Sequence, residues 1–171
     1  MKQIPNSKFA NYIMSLAKNK YSKYYILAGI IVLTIIVYAK SIHNGFISGW
    51  DDREQIINNP GIKALSADNI IKFFSSYYTG MYQPLTSLSY AIEYKFFTLN
   101  PLPYHTDNLL LHLLNIILVF FFIYALTHKI NIAAIVALFF GIHPMNVEDV
   151  AWVSARSSIM YTFFSLSGLI T

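Results

Sequence analysis

Residues 109–127 read "LLLHLLNIILVFFFIYALT". No charged side chain interrupts the run, and at about 1.5 Å per residue a helix of this length comes close to the ~30 Å of a bilayer's hydrocarbon core. The composition agrees: the chain is 56% hydrophobic and 16% aromatic but only 12% charged, about half the ~25% charged residues usual in a soluble domain. The implied class is an all-α, polytopic membrane protein.

Working outward, residues 24–42, "YYILAGIIVLTIIVYAKSI", form a first span with tyrosines near both ends, where interfacial aromatics belong. Residues 105–127 are the second span. The "HKIN" turn then leads into "INIAAIVALFFGIH", residues 130–143, as the third. This run, at about 1.5 Å per residue, reaches only about 21 Å, so the residues after it lie near headgroup depth. Residues 144–171 begin outside and enter a truncated fourth span that is still running at Thr171, which reads as the end of a fragment.

Charge sets the orientation. Five of the twelve lysines and arginines (Lys2, Lys8, Lys18, Lys20 and Lys23) fall in residues 1–23 with no acid among them, leaving seven bases against eight acids. A basic arm ahead of a span marks the cytoplasmic side and favours anionic headgroups. It accounts for the net charge of +4 without nucleic acid. No small-x-small cleavage site precedes the polar loop. With no cysteine, disulfides and zinc–thiolate sites are excluded. This topology puts residues 43–104 and the "HPMNVED" stretch on the same, non-cytoplasmic side. The membrane is either a bacterial inner membrane or that of the endoplasmic reticulum.

The 43–104 loop carries structure. "LSADNIIKFFSS" has Ser66 as a helix N-cap, and "QPLTSLSYAIEYKFF" has Pro84 at a first helical position, with Leu85, Leu88, Ala91, Ile92 and Phe96 at helical spacing. Both read as short amphipathic helices on the membrane surface. Breaks at Asn59-Pro60-Gly61 and Asn100-Pro101-Leu102-Pro103 bound them.

Three stretches carry candidate chemistry. In "NGFISGWDDREQIINNP", residues 44–60, Asp51-x-x-Glu54 has the form of a capping box. Alternatively one carboxylate is a general base or metal ligand while its neighbour, pointing elsewhere, supports it. Asp51 is taken first as the working group, with Asp52 starting the helix together with Gln55, or the roles are swapped. In "YHTDNLLLHLLN", His105, Asn108, His112 and Asn115 fall on one helix face, a polar stripe entering the membrane that bonds other helices or lines a wet cleft. His105, nearest the surface, fits either role. In "HPMNVEDVAWVSAR", Pro144 ends or kinks the third span. Asp149 and Arg156, seven apart, would share a face of a continuous helix. Arg156 is then either part of an ion pair that holds the fold or a binder of an anionic lipid phosphate.

These blocks, with "YQPLTSLSYAIEY" between them, resemble in order and separation the membrane region of the transmembrane and tetratricopeptide-repeat O-mannosyltransferases and their bacterial relatives, GT-C class glycosyltransferases. The likeness runs from about residue 40 to the end. It implies a fold of many spans followed by tetratricopeptide repeats, of which this chain holds the first part; alone it would be inactive, its donor cleft incomplete. The family's acidic motif falls on Asp51 and Asp52, its His-Pro-x-x-(Val/Thr)-Glu block on His143, Pro144, Val147 and Glu148, and its following arginine on Arg156. Many relatives have histidine where Asn146 stands and an acid where Ser158 stands, which bears on sugar preference.

The resemblance implies inverting transfer of a sugar, mannose first, from a polyprenyl phosphate to a Ser or Thr hydroxyl of an acceptor protein or glycan. His143, Glu148, Arg156 and His105 would belong to the donor phosphate or cleft. No glycine-rich nucleotide loop is present and no nucleotide cofactor is expected, while a divalent metal stays open. The rivals are a piece of a transporter or channel, which a loop of this size disfavours, and a noncatalytic scaffold of the same fold.

Overall fold

A computed structural model describes residues 21–170, an all-helical chain. The basic arm, residues 1–23, lies almost wholly outside the described residues. The helices are α1 (Ser22–Tyr38), α2 (Ala67–Ser75), α3 (Pro84–Phe97), α4 (Pro101–Thr127), α5 (Ile130–Ile142), α6 (Asn146–Ala151) and α7 (Arg156–Ile170). Shorter 3₁₀ turns cover Ser41–His43 and Val153–Ala155, and a π-helical turn covers Arg53–Ile57.

Helix α4 is the axis, with α1, α5 and α7 packed around it. It starts at Pro101, four residues before the sequence reading placed it. The reason is local: the Asn100 side chain accepts from the Leu102 amide at 3.2 Å, and Pro101 and Pro103 fall in the first turn, where no donor is missed. Its other end is closed by His128 in the left-handed region, φ 54°, whose amide donates to the Tyr124 carbonyl at 2.8 Å. Among the described residues α4 is the one helix long and apolar enough to cross a membrane; α1 and α5, of 17 and 13 residues, are apolar but shorter.

What lets α5 press against both α1 and α4 is a row of small residues, Ala133, Ala137 and Gly141, all buried. A Cβ added to Gly141 would stand 2.8 Å from Thr34 Oγ1 and 3.0 Å from Ile116 Cδ1. Close approach of this kind replaces the missing hydrophobic drive when helices associate in lipid.

A second apolar cluster, Ile56, Ile62, Tyr90, Ala91, Tyr104 and Val153, seats the 43–104 loop on the first turns of α4. Within that loop the expected helices form. Ser66 Oγ accepts from the Asn69 amide at 3.2 Å, capping α2, and Pro84 opens α3. Helix α3 is turned so that Thr86, Tyr90 and Glu93 are buried while Leu85, Ile92 and Phe96 are exposed.

Two expectations fail. The capping box does not form: the chain enters its π-helical turn through Asp52 without a side-chain capping bond, and the Asn58 amide reaches back five residues to the Arg53 carbonyl, at 2.7 Å. The wider turn frees Asp52 to bond elsewhere. Nor does one helix run from Asp149 to Arg156. Trp152 is extended (φ −104°, ψ 120°), so α6 and α7 are separate helices and Asp149 is not stacked over Arg156.

Candidate functional site

Asp52 is completely buried. One carboxylate oxygen accepts from the Ile47 amide at 2.8 Å, closing the turn that carries Trp50. The other accepts from the Ser154 amide at 2.9 Å and from the Ser154 hydroxyl in a short bond. Residues 102 positions apart are thereby fastened, and the loop holding "GWDDREQ" is joined to the one holding "VEDVAWVS". Bonds from neutral donors to a carboxylate are stronger than those between neutral groups, so Asp52 is a strut between the loops.

Arg156 lies beneath this strut, also completely buried. Its Nη1 and Nη2 donate to the two oxygens of Glu93 at 2.5 and 2.8 Å. Nη1 also donates to Ser89 Oγ at 2.9 Å, Nη2 to the Tyr104 carbonyl at 2.8 Å, and Nε to Asn108 Oδ1 at 2.7 Å. The guanidinium sits 4.6 Å from the centre of the Tyr90 ring. These five acceptors match the five donors a guanidinium has. The ion pair is real, but its acid is Glu93 on α3, not Asp149 or Glu148. Burial pushes the Glu93 carboxyl up to about 7 against the pull of Arg156, and the neighbouring Asp107 adds to the rise.

Three members of the polar stripe of α4 bond neighbouring backbone, while Asn115 Oδ1 stays buried without a partner. The Asn108 amide nitrogen donates to the Trp152 carbonyl at 3.0 Å, His112 Nε2 pairs with the Gly141 carbonyl at 3.0 Å, and Asn115 donates to the Ile159 carbonyl at 3.0 Å. His105 differs: it is buried, neither ring nitrogen sits in a well-formed hydrogen bond, and the Asp52 carboxylate acts on it electrostatically.

The remaining sequence candidates are at the surface. Asp51, His143 and Glu148 are exposed. His143 Nδ1 accepts from the Met145 amide at 3.2 Å, a bond within its own turn. Asp149 is half-buried, and burial together with Glu148 raises its carboxyl above the usual range while Ser158 pulls it down. Among the described residues no group of three His, Asp or Glu side chains is placed to hold a metal.

Sequence reasoning passed over Ser154, Ser89 and Glu93. Glu93 carried a signal: at 100° per residue it falls about 80° round the helix from the centre of the Leu85, Ile92 and Phe96 face, on the side of Thr86 and Tyr90. That face is the buried one.

The arrangement defines a class: a helical domain built on a long apolar helix, with two distant acid-bearing segments joined through Asp52 and Ser154 at one end of it. Within that class, the chain is similar to TMTC protein O-mannosyl-transferases over about four fifths of its own length. It is 29% identical to a protein O-mannosyl-transferase of Caenorhabditis elegans over 82% of its own length and 22% of that protein's. Against the Tmtc1 protein O-mannosyl-transferase of Drosophila melanogaster the identity is 30%, over 78% of this chain and 16% of the relative. The human protein O-mannosyl-transferase TMTC3 is 26% identical over 78% of the chain and 15% of its own length. The chain thus spans about a fifth or less of these curated relatives. No protein-family model and no solved structure matches it.

Proposed function

We propose that this chain is part of an integral-membrane glycosyltransferase that moves a sugar, mannose in the first instance, from a polyprenyl phosphate to a Ser or Thr hydroxyl of a protein on the non-cytoplasmic side. The observation that carries the reading is the Asp52–Ser154 strut, because it brings the two acidic segments that the family likeness picks out to one end of a membrane-length helix. In this reading α1, α4 and α5 are spans, with the basic arm in the cytoplasm. The outward exposure of Leu85, Ile92 and Phe96 on α3, with Thr86, Tyr90, Ala91 and Glu93 buried, supports lipid contact, since an apolar face needs no cover in a bilayer.

The reaction is an in-line displacement. The acceptor oxygen bonds to the anomeric carbon, the carbon–phosphate oxygen bond breaks, and the polyprenyl phosphate leaves with the electron pair. Asp51, exposed beside the strut, takes the hydroxyl proton, a contribution of about 10² to 10⁴ in rate. Asp52, with both oxygens occupied by the fold, positions it. Arg156 holds the junction instead of binding the leaving phosphate, since its donors are already engaged. His143 and Glu148, both exposed, are assigned to the donor cleft. The lipid-linked donor calls for no nucleotide cofactor.

The test is transfer from polyprenyl phosphate mannose to a Ser/Thr peptide by the full-length protein and its Asp51→Asn and Asp52→Asn variants. Loss of transfer in Asp51→Asn with folding retained supports the assignment. Transfer at wild-type rate in both variants would sink it in favour of a scaffold.

A further inference from the structure

Trp50 stands at the end of the turn that Asp52 closes, with its amide donating to the Ile47 carbonyl at 3.2 Å and its carbonyl accepting from Arg53 at 3.0 Å. Its backbone is therefore fixed, yet its indole is 64% exposed. The other tryptophan of the chain, Trp152, meets it at 5.3 Å between ring centres and 80° between planes. The edge-on contact sets the orientation of the pair and leaves ring surface open. Asp51 follows Trp50 directly, and Glu148 and Asp149 lie four and three residues before Trp152, one helical turn away along α6. The Trp152 Nε1–H is buried with no acceptor, an unmet donor of a kind that folded proteins rarely keep.

A rigid, open aromatic face with the exposed Asp51 carboxylate on the next residue matches the chemistry of a pyranose. The sugar's axial C–H groups lie flat on a π-face, and its hydroxyls donate to carboxylates. The turn's fixed backbone reduces the ordering cost of binding.

We propose that Trp50, set against Trp152, is a stacking platform for a hexopyranose ring at the acidic junction. The proposal rests on the glycosyltransferase reading above and adds a sugar-binding residue outside the acidic pair. The sugar is that of the donor or one already on the acceptor, since both present the same ring chemistry.

The experiment is saturation-transfer NMR on the full-length protein in detergent, with polyprenyl phosphate mannose and a mannosylated Ser/Thr peptide as separate probes. Trp50→Leu and Trp50→Phe are compared with wild type. Leucine keeps an apolar side chain but removes the π-face, and phenylalanine keeps a smaller one. A fall of about ten-fold in affinity for either probe in Trp50→Leu, with Trp50→Phe between it and wild type, supports the platform; the probe affected names the source. Equal binding by wild type and Trp50→Leu, or no ring-proton transfer from either probe in the wild type, overturns it. A Trp50→Leu protein that does not fold leaves the Trp50→Phe comparison and the wild-type ring-proton map to decide. Because binding is read without turnover, the platform is judged even where the protein transfers no sugar. Normal transfer with unchanged KM in Trp50→Leu would remove the platform and leave the enzyme reading standing.

Discussion

Arg156 and Asp51 are both charged residues of segments that the family likeness singles out, and they have opposite situations. Arg156 is completely buried, with an acceptor for each donor and an aromatic ring below it. Asp51 is exposed on a turn whose rigidity is supplied by its neighbour. The difference teaches which charges hold the domain together and which are left to act on something else. A buried charge is tolerated only when the fold itself meets its bonding needs, and a group so occupied has little left for a substrate.

The comparison is broken most severely at the clasp. Arg156→Met strands the Glu93 carboxylate and leaves Asn108, Ser89 and the Tyr104 carbonyl short of a donor, and we expect a loss of about 3 to 5 kcal/mol in denaturant unfolding. A loss below about 1 kcal/mol would show that the clasp is dispensable. Next is the strut. Asp52→Asn turns an amide N–H toward the donors of Ile47 or Ser154, at an expected cost of about 1 to 3 kcal/mol. Trypsin sensitivity at Arg53 should rise as the loop loosens, and unchanged cleavage would count against the strut.

The clasp also has a pH signature. Burial raises the Glu93 carboxyl to about 7 in the fold against an ordinary value of 4.5, with Arg156 opposing the rise, so the charged clasp is fully formed only above that value. Between these values the folded protein binds a proton that the unfolded chain has released, so stability falls as pH rises through this window. Thermal midpoints measured from pH 4.5 to 8 should show that decline, and Glu93→Gln should flatten it. A decline of the same slope in Glu93→Gln would place its origin elsewhere. The smallest stability effect is expected at the other pole: Asp51→Asn should change unfolding by no more than about 0.5 kcal/mol, while transfer falls by about 10² or more. A large destabilisation would make Asp51 a second structural group and erase the contrast.

The long apolar helix, the capped α2 and the proline-led α3 were legible because their causes are local: hydrophobic run length, a serine before a helical pattern, and a proline where no donor is needed. The end of α5 before Pro144 was legible for the same reason. The partners of Asp52 and Arg156 were not. Ser154 is 102 residues from Asp52 and Glu93 is 63 from Arg156, and no local pattern encodes which of several acids a buried arginine will meet. The break at Trp152 was hidden as well, since "VEDVAWVSAR" contains neither glycine nor proline to signal it.

By itself the sequence determined that this is a helical chain with one run long and apolar enough to cross a membrane and with five of its eight acids in two segments, because hydrophobic length and charge placement are properties of the chain and not of its packing. Only the tertiary structure decided that Asp52 is a strut, that Arg156 belongs to Glu93, and that Asp51 and Trp50 are left facing outward. Those roles depend on which buried groups find partners first-hand in space, and a side chain's bonding needs are met by proximity across the fold, which sequence separation does not report.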